Sequence, residues 1–285
     1  MKHTEGAFKA PNQDNIYYQA WLPESEAKVV MLVLHGLGEH SGRYQNLAQH
    51  FVALGYAVYA LDHSGHGKSD GLREYIERFE DYSETVETFR AMIQDWQANQ
   101  AIFLLGHSMG GLIAAQHLLK YQANFSGAIF SAPGIKLSDS ITPLTIFLGK
   151  VLAALAPKMG LMALDYRGIS RDPNIRKNYR DDPLVFHGKT TARLGVELLK
   201  TMQTVAAEAG KIRLPILILQ GSADTMINPA GAQLLYDQAS SKDKTLTFYQ
   251  GFYHELFNEP EHALVFADVA AWLATRATCD GLPKT

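Results

Sequence analysis

Five short apolar runs set what this chain can fold into: VVMLVLHG (29–36), YAVYALD (56–62), AIFLLG (101–106), GAIFSAP (127–133) and PILILQG (215–221). None alternates between apolar and polar residues, which is the pattern of a strand covered on both faces. A sixth run, KTLTFYQG (244–251), alternates more and fits a sheet edge. Helical periodicity fills the intervals. The stretch 43–54 places Leu47, Phe51 and Leu54 on one face; 79–96 and 110–121 read likewise, and 260–275 closes the chain. Strands and helices in alternation, joined by right-handed crossovers, predict a mostly parallel, doubly wound α/β sheet.

The rhythm breaks between 134 and 212, where no strand-like run occurs. So long an interval does not suit a loop in a compact domain. It predicts a helical cap, 134–212, inserted into a core built from 1–133 and 213–285. The first cap helix, 143–156, carries Leu144, Phe147, Leu148, Val151, Leu152 and Leu155 on one stripe. Ile146, Ala153 and Ala154 make its other side apolar as well. Two readings stand: a helix buried on both sides, or a lid with one face on the core and the other toward a greasy substrate or a lipid surface.

GHSMGG (106–111) follows the third strand and opens the helix MGGLIAAQHLL. Gly-X-Ser-X-Gly alone is a common pattern, but at a strand-to-helix turn it has a mechanical reading. Small flanking residues let the backbone take a strained corner that lifts the Ser108 hydroxyl above the sheet. The Met109 N–H lies at the helix N-terminus, where it has no intrahelical acceptor and can face a developing oxyanion. A serine needs a base. His254, in QGFYHELFNEP, comes after the last strand-like run and before the last helix, at the sheet edge where Ser108 stands. His107, beside Ser108, is expected to point away; His117 and His262 lie on helices, solvated or packed. The base needs an anion to fix its tautomer. Asp224 ends PILILQGSAD just past a strand, whereas Asp237 and Asp243 read as solvent charges. The order Ser108, Asp224, His254 is that of the α/β-hydrolases. A second oxyanion donor is expected from HGLGEHSGRY (35–44), and the Leu37 N–H between Gly36 and Gly38 is the candidate. His35, Glu39, His40 and Arg43 read as a polar brace for that loop.

Other chemistries fit poorly. DHSGHGKSDG (62–71) lacks the spacing of a phosphate loop, and His63, His66 and Asp62 stand without a metal-ligand motif, so a tight polar loop is expected there. The net charge of −3 gives no broad pull toward nucleic acid. The N-terminal residues show no signal-peptide core, and no run approaches the roughly 20 apolar residues of a membrane span. The single cysteine, Cys279, reads as inert. A cytoplasmic protein without metal or organic cofactor is the expectation.

Together, HGLGEHSGRY, LDHSGHGKSDG, GHSMGG, QGSADTMI and GFYHELFNE resemble the monoacylglycerol lipases, within the wider lysophospholipase-like α/β-hydrolases. ISRDPNIRKNYRDDPLVFHGK followed by ARLGVELL resembles the lid region of bacterial members. The likeness runs from about Tyr17 to Trp272. It implies Ser108 as nucleophile, His254 as base, Asp224 as its partner, and Leu37 and Met109 as oxyanion donors. That family usually has a small residue where Leu37 stands, so this side chain would narrow the pocket. The glycerol-recognising cap residues are not carried over.

The expected function is hydrolysis of medium- or long-chain monoacylglycerols through an acyl-enzyme, with the lid touching lipid aggregates reversibly. The rivals are a broader carboxylesterase, a lysophospholipase or a thioesterase with the same machinery, or acyl transfer to an alcohol. A peptidase should show acidic residues placed for a substrate amine, and none is assignable. A non-catalytic ligand receptor on the same fold is the rival from another class; the full Ser-His-Asp set argues against it.

Overall fold

A computed structural model describes residues 1–98, 100–137 and 142–277; Cys279 lies outside the described residues. Ten strands are described: β1 Lys2–Lys9, β2 Asn15–Leu22, β3 Val30–Leu34, β4 Ala57–Leu61, β5 Ile102–His107, β6 Gly127–Ser131, β7 Gly160–Ala163, β8 Lys189–Thr191, β9 Ile216–Gly221 and β10 Lys244–Tyr249. The helices are α1 Gln45–Ala53, α2 Glu80–Trp96, α3 Met109–Tyr121, α4 Pro143–Leu155, α5 Pro173–Asp181, α6 Ala192–Glu208, α7 Ala230–Gln238 and α8 His262–Ala274.

Eight strands form one sheet in the order β1-β2-β4-β3-β5-β6-β9-β10. From β4 to β10 every pairing is parallel, while β1–β2 and β2–β4 are antiparallel. The six expected strands are present, with β10 at an edge. The pair β1–β2 is an addition: β1 is mostly exposed and polar on its free side, so it lacks the continuous apolar run of its buried neighbours.

Every residue of β3, β4, β5, β6 and β9 is buried. Their side chains divide between two layers, as the pleat requires. Val30, Leu32 and Leu34 pack with Val86 and Phe89 of α2 and Leu112 and Ile113 of α3. Met31 and Val33 pack on the other face with Leu47 and Phe51 of α1 and Val265 and Val269 of α8. This is an α/β-hydrolase fold, mostly parallel and covered by helices on both sides.

The segment 134–212 is not wholly helical. The short strands β7 and β8 pair antiparallel within it. Its last helix also belongs to the body of the protein: α6 packs against α3 and α7, and Leu194, Val205, Ala209 and Ile212 share the apolar cluster of β3 and α3. The reading of α4 as a helix buried on both sides does not hold. Its small-residue side, Gly149 and Ala153, is buried, and α4 packs against α6. Leu144, Phe147, Leu148 and Leu155 face outward at 66%, 62%, 51% and 80% exposure. Two narrow residues on one side let α4 approach α6 closely, and among the described residues the bulky stripe stays exposed. Among the described residues no helix is long and apolar enough to cross a membrane.

Candidate active site

The C-terminal ends of β3, β5, β9 and β10 converge at one edge of the sheet, and each delivers a loop to the same place. After β5 the chain turns sharply into α3. Ser108, at the corner, has φ +53° and ψ −118°, a left-handed backbone that a residue with a β-carbon rarely adopts. Such a corner costs on the order of 1–3 kcal/mol, and the packing around it must hold it. The flanking glycines make it feasible. A β-carbon on Gly106 would come within 2.4 Å of the Gly110 carbonyl oxygen, and one on Gly110 within 2.1 Å of that of Leu34. The expected elbow is therefore enforced by backbone packing against β3.

His254 and Asp224 meet Ser108 there. His254 Nε2 lies 2.8 Å from Ser108 Oγ, and His254 Nδ1 lies 2.7 Å from Asp224 Oδ2. The other Asp224 oxygen accepts from the backbone N–H groups of Met226 and Ile227 at 2.8 and 3.2 Å, and Gln220 donates to Oδ2 at 3.1 Å. Burial works against the Asp224 charge, but His254 and these N–H donors hold its carboxyl below the ordinary range. Burial likewise disfavours the His254 imidazolium, yet the adjacent Asp224 carboxylate outweighs it and raises the histidine. The line Ser108–His254–Asp224 thus has the hydrogen-bond geometry of a nucleophile, a base and an orienting anion.

Neither the Leu37 N–H nor the Met109 N–H reaches an acceptor among the described residues. The loop bearing Leu37 passes close to the elbow: a β-carbon on Gly36 would sit 3.2 Å from Ser108 Cβ.

The expected brace is present and larger than its four residues. His35 Nδ1 donates to the Gly36 carbonyl at 2.7 Å, and the His63 N–H donates to His35 Nε2 at 2.9 Å. Glu39 accepts from the Gly36 N–H at 2.6 Å, from the Tyr44 hydroxyl at 2.8 Å and from Arg43 at 2.8 Å. Burial opposes the Glu39 charge, but Arg43 and the neighbouring donors bring its carboxyl down to about 2. Arg43 also grips Glu255, the residue after His254, with two bonds of 2.5 and 2.7 Å. His40 Nε2 lies 2.9 Å from Asp182, and the Arg43 guanidinium stacks 4.6 Å above the Tyr179 ring, so the brace reaches into the segment 134–212. Glu255, Asp182 and Tyr179 carry no local sequence signal for these roles. In the sequence Glu255 is one more charge beside a histidine.

His107 differs from expectation. Its ring does not point away but packs 4.8 Å from that of His254, with Nδ1 3.1 Å from the Ser131 carbonyl. Burial and the neighbouring His254 push it down to about 4, so it stays neutral beside the base. His117 is fully buried, 2.9 Å from the Ser83 hydroxyl, and belongs to the core. Asp237 and Asp243 bind Gln233 and Arg276 away from the site. Asp62 accepts from the Ser41 N–H and hydroxyl and from the Lys68 N–H, closing the polar loop of 62–71. Among the described residues, no group of three or more His, Cys, Asp or Glu side chains is arranged to hold a metal ion.

The family model described as "Serine aminopeptidase, S33" matches residues 25–261. The chain belongs to that family. It is similar to the monoacylglycerol lipase of Mycolicibacterium smegmatis, at 38% identity over 95% of this chain and 97% of that protein. It is 35% identical to the human monoglyceride lipase over 93% of this chain and 89% of that one. Among solved structures, the monoacylglycerol lipase of Paleococcus ferrophilus superposes with a TM-score of 0.81 at 30% identity, covering 97% of this chain and all of that one. This member of the S33 family therefore shares fold and chain length with proteins named as lipases rather than peptidases.

Proposed function

We propose that the protein is a serine ester hydrolase that cleaves monoacylglycerols to a free fatty acid and glycerol. The observation that carries this reading is the hydrogen-bonded line from Ser108 Oγ through His254 to Asp224, with the Leu37 and Met109 N–H groups left without an acceptor among the described residues. Ser108 Oγ passes its proton to His254 Nε2 as it attacks the ester carbonyl carbon. The carbonyl oxygen gains the negative charge and accepts hydrogen bonds from the Leu37 and Met109 N–H groups. His254, now an imidazolium, donates through Nδ1 to Asp224, which stays ionised. As the tetrahedral centre collapses, the ester C–O bond breaks and His254 gives its proton to the departing glycerol oxygen. Water then attacks the acyl-Ser108 ester with His254 again as base, and the fatty acid leaves.

The substrate class follows from the named relatives at 35–38% identity, together with the exposed apolar stripe of α4. That stripe contacts the lipid aggregate from which a monoacylglycerol is drawn, reversibly and without anchoring. The cap is taken as 134–191, with α6 as its base on the core. A peptidase reading is weaker here: Glu39 and Glu255 are both buried and both hydrogen-bonded to Arg43, so neither side chain is presented to a substrate ammonium.

Hydrolysis rates across monoacylglycerols, triacylglycerols, lysophospholipids, acyl thioesters and amino-acid anilides test the assignment. The expected result is the highest kcat/KM on monoacylglycerols and no turnover of the anilides. A strong preference for lysophospholipids or thioesters would keep the mechanism and overturn the substrate.

A further inference from the structure

Four non-glycine residues among those described have a left-handed backbone, and one of them is Glu74, with φ +47°. At Ser108 that strain serves the exposed hydroxyl. At Glu74 the surroundings give a different reason. The residue is 2% exposed, and it stands between the cap and the loop that carries Leu37. On the cap side, the Thr190 hydroxyl donates to Glu74 Oε2 at 2.5 Å, and the Thr191 hydroxyl donates to the Glu74 carbonyl at 2.6 Å. Both threonines belong to β8. On the other side, Oε1 lies against the bare Cα of Gly38; a β-carbon there would meet it at 3.0 Å. No donor among the described residues reaches Oε1.

Gly38 is the turn of the Leu37 loop, with φ +75°. Its carbonyl accepts from the N–H of Phe186, three residues before β8, at 2.8 Å. The cap therefore holds this turn twice, directly through Phe186 and indirectly through the Glu74 carboxyl. Burial raises that carboxyl to about 7 while the Thr190 hydrogen bond pulls the other way, so near neutrality much of it is the uncharged acid. An uncharged acid suits a place where a single donor arrives.

We propose that Glu74 is a positioning residue of the oxyanion loop, a wedge between Thr190 and Gly38 that makes the placement of the Leu37 N–H depend on the cap strand β8 being seated. This rests on the reading of Leu37 as an oxyanion donor. A cap lifted from the core takes the Thr190 and Thr191 anchors of the wedge and the Phe186 bond away together, so the oxyanion hole is complete only under a closed cap.

The test uses the full chain and two soluble esters of one short acid, the glyceryl and the methyl ester. In Glu74→Ala and in Thr190→Val, kcat should fall about tenfold on both esters, with KM changed by less than about twofold, because a displaced donor acts on the transition state common to both. Glu74→Gln keeps an acceptor for Thr190 and should restore kcat. The double variant Glu74→Ala/Thr190→Val should lose no more than the worse single variant, since both remove one connection. Folded variants with unchanged kcat, or additive losses, would overturn the proposal. So would a loss confined to the glyceryl ester, which would make Glu74 a reader of the leaving alcohol. If Glu74→Ala does not fold, Thr190→Val and Glu74→Gln decide alone. Wild-type protein that no fluorophosphonate labels would sink the reading of Ser108 beneath the proposal, an outcome distinct from a labelled enzyme indifferent to Glu74.

Discussion

Arg43 binds the Glu255 carboxylate through two parallel hydrogen bonds, 2.5 and 2.7 Å long, and so ties the loop after β3 to the loop that carries His254. The same guanidinium holds Glu39, which in turn receives the Gly36 N–H. One buried cation therefore fixes the spacing between the base and the loop of the proposed oxyanion donor.

Removing that cation leaves two buried carboxylates without their shared counter-charge. Breaking a buried pair in this way costs about 3–5 kcal/mol. Arg43→Ala should lower the melting temperature by several degrees and reduce kcat/KM at least tenfold, by an order-of-magnitude estimate. Arg43→Lys should recover little, because an ammonium cannot reproduce the forked contact with Glu255. Thermal melts and ester kinetics on both variants check this; a fully active Arg43→Lys enzyme would contradict it.

The pH dependence has a definite sign. His254 accepts the Ser108 proton only when neutral. Burial alone would lower its pKa, but Asp224 raises it above the ordinary value of about 6.5. Activity should therefore fall as the pH drops through a value above 6.5, earlier than for a free imidazole. Asp224→Asn removes the counter-charge, so the acid limb of kcat/KM should move down. In the same variant kcat should fall by about 10⁴, the loss seen when such an anion is removed from a serine-protease triad. A pH–rate profile of the two enzymes is the measurement; an acid limb in the same place in both would refute the role given to Asp224.

Stability should also depend on pH through the histidines in and beside the loop of the proposed oxyanion donor. His35, His63 and His66 are buried with their rings 4.3–6.3 Å apart, and both ring nitrogens of His63 lack a hydrogen-bond partner among the described residues. Burial lowers all three, His66 to about 3. A histidine kept neutral in the folded state adds no pH-dependent penalty above the unfolded value of about 6.5. As the pH falls below that, the unfolded chain takes up protons that the folded one refuses, and stability is lost down to the folded pKa. The melting temperature should decline from about pH 6.5 downward. His66→Gln should flatten part of that decline, as melts between pH 7 and 4 would reveal.

The outward stripe of α4 predicts a split between substrates. Replacing Leu144, Phe147 and Leu155 together by serine removes exposed apolar surface without touching the core. Vesicle co-sedimentation should drop, and activity on aggregated long-chain monoacylglycerol with it. Activity on a soluble short-chain ester should stay within about twofold, since the reacting groups are untouched.

The strands and elbow were legible in the sequence because burial on both faces leaves unbroken apolar runs, and because Ser108 stands where such a run meets a helix. Ser108, His254 and Asp224 could be placed since each follows a strand at the same sheet edge. The hairpin β1–β2 was not legible, because an exposed edge needs no apolar run. The direction of the α4 stripe was not legible either: periodicity gives a helix its two sides but not which one meets a neighbour. Glu255 and Glu74 escaped notice for a related reason. Their partners, Arg43, Gly38 and Thr190, lie far away in the chain, and nothing local separates such a glutamate from a solvated one.

Covalent labelling decides whether Ser108 is the nucleophile. Folded protein is treated with a fluorophosphonate and digested, and the modified peptide is sequenced by mass spectrometry alongside Ser108→Ala. Labelling should give one adduct, on Ser108, no adduct in the variant, and loss of monoacylglycerol hydrolysis in step with modification. An unlabelled wild-type protein, or a Ser108→Ala enzyme that hydrolyses monoacylglycerol at the wild-type rate, would contradict it.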